Sequence, residues 1–215
     1  MFIGHWAPAL AAAAASRKAP PLALLFIGAQ LIDWAFFAFL LLGVEHMRVT
    51  PGISAMNPMD LYHMPYTHSL LGAAAFAGAV WLARSLLLRD KVGALIGATV
   101  VLSHWFLDLL VHVPDLTLAG SPPKLGLGLW NHPWIEMPLE LGLTFGALWW
   151  YWKARNPALP RVVALAGVLL LLQAINWFGP VEPEVTAGTS YLAFFAYGLA
   201  TLAAWWMARS AAPQG

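Results

Sequence analysis

The chain has no cysteine. Disulfides, thiolate metal sites and cysteine nucleophiles are therefore excluded, and any metal must be held by His, Asp and Glu. Charge is also scarce: Asp, Glu, Lys and Arg make up 10% of the residues, against about 25% in a typical soluble domain. With 60% hydrophobic residues and a mean hydropathy of +0.70, that scarcity excludes an ordinary soluble globule and indicates an integral membrane protein. Eleven Lys and Arg nearly balance ten Asp and Glu and form no basic stripe, so no nucleic-acid partner is expected. The opening MFIGHWAPAL lacks the basic n-region of a signal peptide. A soluble domain and an internal repeat are both missing, and residues 1–215 read as a single membrane domain.

What is present is a set of long apolar runs. A bilayer core of about 30 Å takes roughly 20 helical residues. Six segments reach that length: Pro21–Leu42, Ser69–Leu88, Gly93–His112, Pro133–Trp152, Val162–Phe178 and Gly188–Ala208. A shorter Ala-rich segment, His5–Ser16, spans about half a membrane. The fold class expected is all-α, polytopic, with six transmembrane helices plus an N-terminal half-span. Trp and Tyr gather near segment ends, as at Trp149–Trp152 and Trp205–Trp206, where interfacial belts form.

Basic residues set the orientation. Loops on the side where Pro21–Leu42 begins hold Arg17, Lys18, Arg84, Arg89, Lys91, Lys153, Arg155, Arg161 and Arg209, nine in all, against Arg48 and Lys124 opposite. The first side should be cytoplasmic. The extracytoplasmic side then carries Glu45, Asp60, Asp115, Glu182 and Glu184 and both long loops, Gly43–Thr67 and Val113–Asn131. Long loops in a compact protein are often functional.

Within Gly93–His112 lies His104-x-x-x-Asp108-x-x-x-His112. Residues four apart share a helix face, so these three form one polar stripe. Ionisable groups in lipid cost several kcal/mol unless they find partners. Two imidazoles flanking a carboxylate make half of a site for a hard or borderline metal ion. Helix rise puts Asp33 and His104 each at a depth of about 17–18 Å from the cytoplasmic side. His5 reaches the same level if His5–Ser16 is a helix rising from that side, a half-span that must be buried in protein with its end facing a polar cavity. His68 opens the second segment, and His132, Glu136 and Glu140 repeat the four-residue spacing at the start of the fourth. Pro133 suits a first helical turn, whereas Pro138 should kink that helix or delay its start. Asp60 and His63 lie just upstream of His68 and are open as to whether they join. Plainer roles compete: interfacial placement for His46, helix capping by Thr67 beside His68, an interhelical hydrogen bond for Asp33, structural pairing of His104 with Asp108, solvation of one of the two glutamates.

Gly4-His5, Tyr66-Thr67-His68-Ser69-Leu70-Leu71 and Leu102-Ser103-His104-x-x-x-Asp108 together resemble the inner-membrane-associated metal-dependent hydrolase family. The resemblance covers the first half of the chain. That family usually carries Pro-Asp-x-Asp-His after its first segment, where this chain has Leu31-Ile32-Asp33-Trp34, so Asp33 alone is carried over. The order His5, Asp33, His68, His104 with Asp108, His112, then His132 with Glu136 is also similar to the ligand order of zinc-dependent phospholipase C. Those enzymes use the N-terminal amine as a ligand, whereas Met1–Gly4 precede His5 here. The resemblance implies two or three Zn2+ ions held by His5, Asp33, His68, His104, Asp108, His112, His132 and Glu136. Asp33, Asp108 and Glu136 would be catalytic, and the reaction would be phosphoester hydrolysis. Three carboxylates and one hydroxide would neutralise two divalent ions, and a third would leave positive charge for an anionic substrate. A membrane lipid or lipid-linked small molecule is the expected substrate, met at the extracytoplasmic face of the cell membrane. A transporter or proton pathway could use the same residues. A haem protein would need further His partners, because His104 and His112 lie on one helix and cannot be opposite axial ligands.

Overall fold

The computed structural model describes residues 1–211. A 3-10 turn (Ile3–His5) leads into α1 (Trp6–Ala15). Then come α2 (Leu22–Ala29), α3 (Leu31–Leu41), α4 (Leu70–Leu87), α5 (Lys91–Val111), α6 (Pro133–Arg155), α7 (Leu159–Phe178) and α8 (Ala187–Ala208). Four of these, α4, α5, α7 and α8, are long and apolar enough to cross a membrane. The α2–α3 pair, bent by 52°, makes a fifth if it is one span. Together with the composition, these helices are those of a membrane protein. The 23-residue α6 is long enough but carries Glu136, Glu140, Lys153 and Arg155, and it falls outside that apolar set. Large apolar side chains such as Leu86, Leu95, Leu171, Phe195 and Leu202 are exposed along the outer faces, where lipid would meet them.

The ends of the helices follow ordinary capping chemistry. Ser69, not Thr67, caps α4, its hydroxyl accepting from Gly72 N at 3.0 Å, so the competing role of Thr67 as a cap is not the one adopted. Asp90 caps α5 through Gly93 N at 2.8 Å. α6 begins at Pro133 and runs through Pro138, so that proline does not delay the helix; it stops at Asn156, in the left-handed conformation.

Both long loops carry small antiparallel ribbons, which periodicity did not reveal. β1 (His46–Val49) pairs with β2 (Met59–His63), and β3 (Leu116–Thr117) with β4 (Lys124–Leu125). The second ribbon is pinned to the start of α4 by Leu71 N donating to Leu118 O at 2.9 Å. It is tied to the end of α5 by Gly128 N donating to His112 O at 2.7 Å. Gly126 lies so close to the His112 and Val113 carbonyls that a Cβ there would collide with both. Two apolar clusters support this arrangement. One surrounds α1 and includes Trp6, Leu10, Phe26, Leu165, Leu169 and Ala200. The other, with Ile32, Phe36, Val101, Trp105 and Leu116, underlies the ribbons.

Candidate metal centre

Asp108 is the hub. Its Oδ1 lies 3.0 Å from the Met1 amine, 3.0 Å from His5 Nε2 and 3.4 Å from His112 Nε2. Its Oδ2 lies 3.0 Å from His104 Nε2 and 3.6 Å from His68 Nε2. Asp33 Oδ1 is 3.4 Å from both His68 Nε2 and His104 Nε2. His5 and His104 stack with ring centroids 3.7 Å apart. Two sets of ligand atoms, one from His5, His104 and Asp108 and one from Asp33, His68 and His104, each fit within 4.8 Å and share His104. These buried groups could hold a metal ion.

Three local devices bring these side chains together. The i, i+4 stripe of α5 supplies His104, Asp108 and His112. A break at Gln30 ends α2, and α3 starts with Asp33 in its first turn. The short α1 is buried rather than lipid-facing, with His5 at its start and 1% exposed. That burial depends on polar side chains from α6, α7 and the α2–α3 break. Glu140 Oε1 accepts from Phe2 N (2.6 Å) and Gly4 N (3.0 Å). Gln173 donates to Glu140 Oε2 at 2.8 Å, and Gln30 donates to the Phe2 carbonyl at 3.0 Å. Glu140 thus positions the N-terminal turn and is not among the ligand groups.

The far nitrogens of the imidazoles show how the rings are oriented. His104 Nδ1 lies 2.8 Å from the Ala29 carbonyl, which can only accept, so Nδ1 carries a proton and the ring meets the carboxylates through Nε2. The break after α2 is what leaves that carbonyl available. His112 Nδ1 lies 2.9 Å from Asp115 Oδ1, with the same consequence. The Thr67 hydroxyl donates to Glu45 Oε2 at 2.6 Å, so its oxygen accepts from His68 Nδ1 at 2.8 Å. Glu45 in turn accepts from the Tyr66 and Thr67 amides. Three imidazoles therefore turn Nε2 toward two carboxylates. Metal-bound histidines are held in this way by a partner on the other nitrogen.

The spacing fits a metal as well. Ligand bonds of 2.0–2.2 Å in tetrahedral geometry put donor atoms about 3.4 Å apart. The observed nitrogen–oxygen separations of 3.0–3.6 Å bracket that value. Although His5 Nε2 and His104 Nε2 come within 3.0 Å of Asp108, neither makes a hydrogen bond, and both are buried. Orphaned buried nitrogens beside a carboxylate are costly unless a cation sits between them.

Six of the eight residues proposed from sequence, His5, Asp33, His68, His104, Asp108 and His112, come together. His132 does not. His132 is exposed at the N-cap of α6 and lies outside the cluster, because the helix begins at the next residue and turns its buried face toward Glu136 and Glu140. Glu136 is fully buried with both oxygens unpartnered, but it belongs to neither ligand group. Asp60 is taken by Arg48 at 2.6 Å, and His63 pairs with His46 across the β1–β2 ribbon. Asp115, Glu45 and Tyr197, whose hydroxyl donates to Asp33 Oδ2 at 3.3 Å, were not singled out. Asp115 had a signal, three residues after His112; the other two had none.

Known proteins offer no guide here. The chain matches no family, no curated protein and no solved structure, so the chemistry of the centre has to carry the functional reading.

Proposed function

We propose that this protein is a metal-dependent hydrolase of the cell membrane. On this reading it has six spans and a buried half-span, and its centre holds two or three zinc ions near the extracytoplasmic face. There it cleaves a phosphoester in a lipid or lipid-linked substrate, as the resemblance to metal-dependent hydrolases implies. The observation that carries the proposal is the Asp108 carboxylate set among four histidines, three of which have their Nδ1 engaged elsewhere. Clustered divalent ions, when bound, lower the pKa of water and stabilise charge on attacking and leaving oxygens.

The chain's own groups divide the remaining work. Asp108 offers one oxygen to each side of the cluster and suits a bridging role. Asp33 is the more accessible carboxylate, its side chain 16% exposed against 2% for Asp108. The Tyr197 hydroxyl on Asp33 Oδ2 holds the other oxygen toward His68 and His104. The Trp6–Leu10–Phe26–Leu169 cluster fills the space alongside α1 with apolar side chains. That filling favours a hydrolase over an ion pathway, which needs a polar route onward. The nine-to-two bias of basic residues supports the extracytoplasmic placement.

Elemental analysis of purified protein beside His104→Ala tests the proposal. Wild type should carry two or more zinc ions per chain. His104→Ala should lose most of them, because both ligand sets contain that residue. Fewer than one ion per folded wild-type chain would overturn it. Hydrolysis of a panel of phosphoester lipids by the metal-loaded protein separates an enzyme from a transporter.

A further inference from the structure

At the opposite end of the helices a cavity of about 450 Å3 opens between the end of α1, the start of α2 and the last turns of α6 and α8. Among the described residues that line it, none is acidic. It presents donors instead. Arg155 is held through Nε, which donates to the Ala13 carbonyl at 2.7 Å, one of the unpaired carbonyls ending α1. Its two terminal nitrogens make no hydrogen bond or ion pair among the described residues. Arg209 lies over the Trp205 ring at 4.8 Å and is likewise without an ion pair there. Tyr151 is 4% exposed, lines the cavity, and its hydroxyl has no hydrogen-bond partner among the described residues. Leu22 and Ala23, the first residues of α2, also line it, where helix amides lack carbonyl partners.

A guanidinium fork, a second cation, the hydroxyl of a buried tyrosine and a helix N-terminus match a phosphate group. We infer that this cavity binds the phosphate of an anionic phospholipid from the leaflet at the basic end. A lipid suits the surroundings better than a free ion. Leu24, Ile27 and Leu202 are exposed on α2 and α8, the helices that border the cavity, and offer a path for acyl chains. Lys153 over Trp152 and Arg161 over Trp206 place further cations at the ends of α6 and α7, where headgroups lie. The site is independent of the metal centre, so the hydrolase proposal can fail without affecting it.

The test is titration of the full-length protein in neutral detergent, followed by native mass spectrometry. The probes are short-chain phosphatidylglycerol, phosphatidylcholine and inorganic phosphate. Phosphatidylglycerol should bind about tenfold more tightly than phosphatidylcholine, whose headgroup cation meets the arginines. Arg209→Gln should weaken phosphatidylglycerol binding about tenfold and Tyr151→Phe about threefold, with bound metal unchanged in both. Arg155→Gln should act like Arg209→Gln; the other two variants decide the matter if losing the Ala13 contact unfolds it. Equal affinity for the two lipids, or phosphatidylglycerol binding unchanged in Arg209→Gln and Tyr151→Phe, would overturn the inference. So would inorganic phosphate binding as tightly as phosphatidylglycerol with the same sensitivity to the variants, because the site would then serve a free ion.

Discussion

The two ends of the helix bundle treat charge in opposite ways. At the histidine end a cluster of ionisable groups turns inward: Asp108, His104, His112 and His68 are each no more than 4% exposed, and each imidazole is braced by a partner in the protein. At the basic end three cations, Lys153, Arg161 and Arg209, lie over Trp rings near the helix ends. Charges at a membrane surface can rely on water and lipid headgroups, so they need little internal support. Charges in the interior must be matched group by group, which takes hydrogen bonds from three or four helices at once. The inward end is therefore where a change of one atom should matter most.

The sharpest challenge to this comparison is topological. The native chain has no cysteine, so single cysteines at Ser121 and at Lys153, both exposed, can be labelled with an impermeant thiol reagent in intact cells. Labelling should be all-or-none, at Ser121→Cys only. Labelling of Lys153→Cys alone would reverse the two ends.

Next in size is the contrast between two aspartates. Asp108→Asn keeps the shape but removes the charge that four imidazoles surround, and it should abolish most metal binding and activity. Asp60→Asn breaks only an Arg48 ion pair on the β1–β2 ribbon and should cost at most about 1 kcal/mol of stability, with metal retained. Metal lost from Asp60→Asn but kept in Asp108→Asn would move the centre into the loop.

A smaller loss is expected one step outward. Thr67→Val removes the hydroxyl that links His68 to Glu45, and metal affinity should fall about 10- to 100-fold with the fold intact. Unchanged affinity in a competition titration with a chelator would mean that His68 does not bind metal through Nε2.

The smallest effect belongs to the basic end. The Gly93 amide, followed by Arg84, holds the Asp90 carboxyl below its ordinary value of 3.8. That contribution is present above the ordinary value and is lost as pH falls through the lower, folded one. Asp90→Asn should therefore lower the melting temperature slightly at pH 7. The gap from wild type should close below about pH 4. A gap that persists on acidification would show that the charge of Asp90 contributes nothing.

Much of this was legible in the amino-acid order because it depends on local periodicity. Apolar runs locate the long helices to within a few residues, apart from the break at Gln30. The four-residue spacing of His104, Asp108 and His112 places them on one face of α5 whatever surrounds it. Helix rise alone sets His5, Asp33 and His104 at a common depth, and the structure brings all three together around shared oxygens. His132 has the same i, i+4 relation to Glu136, but it falls one residue before the helix starts, where that spacing no longer governs direction. Only the tertiary structure decided that Glu140 would hold the N-terminal turn and that the Ala29 carbonyl would be free for His104. Glu45, 22 residues from Thr67, was likewise joined to His68 by the fold alone. A side chain's face on its own helix follows from the backbone repeat. Its partner on another helix depends on how the chain returns, and no local pattern encodes that.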